Sequence, residues 1–167
     1  MIFVDITSCS HEIYEKFLEY IFITCDMVSF HFPNFQNQGV GNILSDHAGG
    51  LNKEYAEYLD KNKKLLSQCM RYGAEIKVSN VYDGRKLGHN TKVLRTKLSD
   101  FLKLFISKYH LFDFLFPDLP EDLCFYKNGV CRFSSISHEE IFVVQNETKS
   151  DLDFLKAHGI THFIRKK

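Results

Sequence analysis

"LCFYKNGVCRF", residues 123 to 133, reads as a strand, a two-residue Asn128-Gly129 turn and a returning strand. Both positions of such a turn need positive φ, which Asn-Gly adopts at least cost. That turn sets Lys127 opposite Val130, Tyr126 opposite Cys131, Phe125 opposite Arg132 and Cys124 opposite Phe133. Cross-strand pairing then predicts that Cys124, Cys131, Tyr126 and Phe133 share one core face, with the cysteines diagonal rather than opposed. The elements on either side are read outward from this hairpin.

Downstream, "EIFVVQ", residues 140 to 145, is a continuous apolar strand, followed by a helix from about 149 to 158 that Gly159 ends, and then by "ITHFI". Thr148 with Asp151, or Ser150 with Asp153, supplies a capping-box start. A strand, a short helix and a strand in so few residues predict a parallel βαβ crossover of right-handed sense.

Upstream, "IFVDI" alternates as a short strand with Ile2, Val4 and Ile6 on one face. Ser10 stands as an N-cap, and Ile13, Phe17 and Ile21 recur every four residues, which predicts an amphipathic helix over residues 11 to 23. "VSFHF" sets Val28, Phe30 and Phe32 on one side and Ser29 and His31 on the other, a half-buried strand stopped by Pro33. Residues 34 to 50, rich in Asn, Gln and Gly, read as the one long loop.

Asn52 can cap the next helix, whose stripe runs through Tyr55, Tyr58, Leu59, Leu65, Leu66 and Cys69 to a stop at Gly73. "AEIKVSNVYDGRKLGHNTKVLRTK" reads as a strand, an Asp83-Gly84 turn and a return strand near Thr91 to Arg95. Ser99 opens a helix with Leu102, Phe105, Ile106 and Tyr109 on its apolar face, ending before Pro117 and Pro120. The whole is expected to be one α+β domain over residues 1–167: about four helices on a mixed sheet of five to seven strands, with a C-terminal β-hairpin followed by a βαβ unit.

Composition narrows the function classes. The chain has 167 residues, 44% apolar and 14% aromatic, enough to bury one sizeable core. Lys plus Arg and Asp plus Glu are each 21, so no global field draws it to nucleic acid or anionic membrane. No basic stretch precedes an apolar run in "MIFVDITSCSHEI", and the run Tyr20 to Ile23 is far too short to span a bilayer; the chain reads as cytoplasmic. Five cysteines without C-x-x-C spacing indicate reduced thiols, neither a disulfide framework nor a structural zinc site. Abundant Phe, Ile, Lys, Asn and Tyr point to AT-rich coding, as in a low-GC bacterium.

Motifs for catalysis and cofactors are weak. "GVGNIL" offers Gly39 and Gly41 but Leu44 where a dinucleotide fingerprint needs a third glycine, so no cofactor is expected. His138-Glu139 and His11-Glu12 lack the second histidine of a zinc pair, and Gly159 separates His158 from His162, so no metal is expected. "CRFSSISHEE", residues 131 to 140, gathers Ser135, Ser137 and His138, which with His47 are the candidates for nucleophilic catalysis. The hairpin pairing turns this cluster into a polar bend between strands.

Two charged stretches are candidate partner-binding surfaces. One is Arg85, Lys86, Lys92 and Arg95 in residues 83 to 97; the other is Asp118, Glu121 and Asp122 after the apolar run Leu111 to Phe116. That run is core, or else the interface of a homodimer. The favoured reading is a small cytoplasmic protein without catalysis that binds a protein partner, as a bacterial immunity-type, inhibitor or regulatory protein does. The alternatives are a hydrolase or transferase with a Cys or Ser nucleophile and a His base, and nucleic-acid binding through the basic stretch.

Overall fold

The computed structural model describes the backbone of residues 1–32, 53–82 and 85–164, and the side chains of residues 1–32, 56–77 and 92–164. The loop over residues 34 to 50, the Asn52 cap and the Asp83-Gly84 turn lie outside the described residues. The strands are β1 (Ile2–Val4), β2 (Met27–Phe32), β3 (Glu75–Tyr82), β4 (Arg85–Lys97), β5 (Glu121–Lys127), β6 (Val130–Ile136), β7 (Ile141–Val144) and β8 (His162–Ile164). The helices are α1 (His11–Thr24), α2 (Lys53–Arg71), α3 (Asp100–Ile106) and α4 (Lys149–Ala157).

The eight strands among the described residues form one sheet in the order β3-β4-β2-β5-β6-β7-β1-β8, and every neighbouring pair is antiparallel. This corrects the expected mixed sheet of five to seven strands. The reason is the N-terminal strand: β1 inserts between β7 and β8 and pairs antiparallel with both. β7 and β8 therefore run parallel with one strand between them, a split crossover through α4 in place of an adjacent βαβ unit.

Alternation along the strands divides the sheet into two unlike faces. Val28, Phe30, Phe32, Leu94, Leu123, Phe125, Phe133, Phe142 and Val144 share a buried core with residues of all four helices, so the helices layer one face. On the opposite face Cys124 and Tyr126 pack with Met27 and Cys131 in a small separate cluster. A bulge in the hairpin sorts these residues. Tyr126 opposes Cys131 and Lys127 opposes Val130, as expected, but the register then slips, so that Phe125 opposes Phe133 and Cys124 opposes Ser134. The extra residue, Arg132, turns Phe133 into the main core and away from the cysteines.

Helix ends follow local chemistry. Ser10 and Ser99 cap α1 and α3 by accepting from the backbone N–H of Ile13 and Leu102. Of the two expected capping boxes, Thr148 with Asp151 is the one that forms. Gly73 ends α2 at φ +73°, with the Ala74 N–H returning to the Cys69 carbonyl at 3.1 Å. Tyr109, expected within α3, lies beyond it: the Tyr109 N–H bonds to Ile106 three residues back, and the helix has already closed at Ser107. Among the described residues, no helix is long and apolar enough to cross a membrane.

Candidate functional site

The serines of the polar bend are committed to holding strands together. Ser135 Oγ accepts from the Leu123 N–H at 2.8 Å, while the Ser137 N–H donates to Asp122 Oδ1 at 2.7 Å and its hydroxyl donates to the Leu111 carbonyl at 3.3 Å. Both are buried, and neither hydrogen-bonds to a histidine. His138 sits in a short 3-10 turn with its side chain 63% exposed and Nε2 3.6 Å from Glu139. His47 lies outside the described residues. Burial pushes the Cys25 and Cys69 thiols up to about 12, so neither is a ready thiolate.

Potential metal ligands do not converge: no group of three or more His, Cys, Asp or Glu side chains stands together among the described residues. His158 bonds through Nδ1 to the Phe154 carbonyl and His162 through Nδ1 to the Ile160 carbonyl, one at the end of α4 and the other in β8.

The basic candidates fall on two faces of the sheet. Lys92 opposes Phe32 on the helix-covered face and is buried, which lowers its pKa by desolvation. Arg95 lies on the other face with its guanidinium 4.0 Å over the Tyr126 ring, whose hydroxyl is 3.2 Å from Ser29 Oγ. Arg85 and Lys86 pair in backbone register with Tyr82 and Val81, and their side chains lie outside the described residues. The acidic candidates are dispersed too. Asp118 pairs with Lys61 at 2.7 Å, Asp122 receives the Ser137 N–H at a backbone φ of 45°, and Glu121 stands opposite His31.

What the fold does assemble is a cleft of about 940 Å³ between α2, α3 and the segment after α3. Lys61, Lys64 and Leu65 come from α2, and Phe101, Leu104 and Phe105 from α3. Phe112, Leu115 and Phe116 close the third side. The apolar run Leu111 to Phe116 is thus divided: Leu111 and Phe114 are fully buried, while Leu115 is 38% exposed. Phe114 packs among the Phe30, Phe105 and Tyr109 rings.

Polar anchors hold this third side in place. Buried Asn62 donates from Nδ2 to the Tyr58 carbonyl at 3.0 Å and to the Asp118 carbonyl at 3.1 Å. Tyr14 accepts the Leu111 N–H at 2.8 Å, and its ring stacks on His110 at 4.6 Å. The Phe112 N–H donates to His110 Nδ1, and the His110 N–H donates to Asp113 Oδ2 at 2.7 Å. Burial lowers the His110 pKa despite the raising influence of Asp113.

Leu104 and Lys64 carry no chemical motif, which is why sequence reasoning passed over the cleft. The available signal was Leu104, an apolar residue on the wet side of a short amphipathic helix, 70% exposed in the fold. A buried polar network also escaped notice. Asp151 accepts from Tyr20 Oη at 2.8 Å, Arg132 Nη2 at 2.6 Å and Thr148 Oγ1 at 2.7 Å, joining α1, β6 and α4. Burial and the bond to Asp151 push the Tyr20 hydroxyl up to about 12. Both carboxylate oxygens of Asp151 are engaged in docking and capping α4, so the network is structural.

Comparisons with protein-family models, with curated proteins and with solved structures each find no match for this chain.

Proposed function

We propose that this chain is a non-catalytic protein-binding protein, of the regulatory or inhibitor kind that an immunity protein exemplifies, and that it meets its partner through the α2–α3 cleft. The observation that carries the reading is the solvent-facing apolar lip of the cleft. Leu104 and Leu115 stay 70% and 38% exposed beside half-buried Phe101, Phe105, Phe112 and Phe116, over a floor that Asn62 and Tyr14 fix in place. Exposed apolar surface gathered in one concave place and rimmed by charge is what protein contact sites have. The committed hydroxyls of Ser135 and Ser137 and the raised thiols support binding over nucleophilic catalysis.

The test compares the purified chain with its Leu104→Glu variant in affinity capture from source-cell extract, beside a broad hydrolase and transferase substrate screen. The reading expects a stoichiometric polypeptide captured by the unmodified chain and lost with the variant, and no turnover. Equal capture by both proteins, or turnover abolished by Ser135→Ala, would overturn it.

A further inference from the structure

We propose that the segment seated in the α2–α3 cleft is an acidic amphipathic helix of the partner, with its apolar stripe on the aromatic floor and its carboxylates on Lys64 and Lys108. This deepens the protein-binding reading of the same cleft and rests on it. Shape is the first ground. Small-molecule sites enclose most of their ligand, whereas the apolar lip of this cleft faces solvent, with Leu104 70% and Leu115 38% exposed. An open apolar groove flanked by helices fits a helix whose anchors recur at i, i+3, i+4 and i+7.

Charge is the second ground. Three lysines, Lys61, Lys64 and Lys108, and two carboxylates, Asp113 and Asp118, line the cleft. Asp118 pairs with Lys61 at 2.7 Å, while Asp113 receives the neutral His110 backbone N–H at 2.7 Å and keeps its charge, so the lining stays net positive by one charge. Lys64 and Lys108 have no ion-pair partner among the described residues. Their ammonium groups attract a carboxylate-bearing helix and repel a cationic one, and the preference they set weakens as salt screens it.

Fluorescence anisotropy tests the proposal with two labelled synthetic helices that share one leucine stripe and differ only in a glutamate or a lysine polar face. Each is titrated with the whole chain, with the Lys64→Glu/Lys108→Glu variant and with Leu104→Glu, all first shown by circular dichroism to be folded. The glutamate helix should bind about tenfold more tightly than the lysine helix, and the double charge reversal should invert that order. Equal affinity for the two helices, or an order unchanged by the reversal, overturns the acidic partner while leaving the cleft reading intact if Leu104→Glu still abolishes binding. Binding of neither helix, together with partner capture that Leu104→Glu does not alter, overturns both. A dimer in light scattering that Leu104→Glu dissolves, with neither helix competing, assigns the cleft to a second copy and also overturns the proposal.

Discussion

Gly129 and His110 each tie a local geometry to a measurable quantity. Gly129 holds φ at +79° beside Asn128 at +50°, and a Cβ added there would meet nothing within 4 Å. Gly129→Ala should therefore cost about 1 kcal/mol in denaturant unfolding, through backbone conformation alone. Burial holds the His110 pKa below its ordinary 6.5, so between the two values the folded chain binds fewer protons than the unfolded one. Stability rises with pH across that window, is complete above about 6.5 and is lost as pH falls through the lower folded value. Unfolding followed across mildly acidic pH should show this slope, and His110→Gln should flatten it whatever it does to stability at neutral pH.

At the scale of elements, the run Leu111 to Phe116 is half core and half surface, and mutation should separate the halves. Phe114→Ala should destabilise by about 3–5 kcal/mol, while Leu115→Ala should cost about 0.5 kcal/mol or less. Similar losses at both positions would mean that the run is uniformly core. The α4 junction yields a second contrast. Thr148→Ala removes a cap and should cost about 0.5–2 kcal/mol. Asp151→Ala also strands Arg132, whose side chain is only 13% exposed, and should cost about 3–5 kcal/mol by the same unfolding assay. Element types were legible because caps and periodicity are local: Ser10, Ser99 and Gly73 announced their helix ends. The β5–β6 bulge was not, since the two-residue turn fixes pairing only near itself. Arg132 leaves the ladder because its guanidinium reaches Asp151 on α4, a contact no hairpin arithmetic contains.

For the whole molecule, the sequence carried the class of fold but not the order of its strands. "IFV" at residues 2–4 marks a strand without saying that it will divide β7 from β8, because that choice rests on contacts far apart in the chain. The candidate site was legible only in part for the same reason. Leu111 to Phe116 stood out by composition, but Lys61, Lys64 and Leu104 join it only once α2 and α3 share one face of the sheet. Strand alternation sends Lys92 and Arg95 to opposite faces, which a count of basic residues does not register. The central claim, that the cleft is the contact surface, is tested most directly by amide hydrogen exchange of the chain with and without its captured partner. The account expects protection to rise in residues 61–65 and 101–119; protection confined to the β3–β4 hairpin would contradict it.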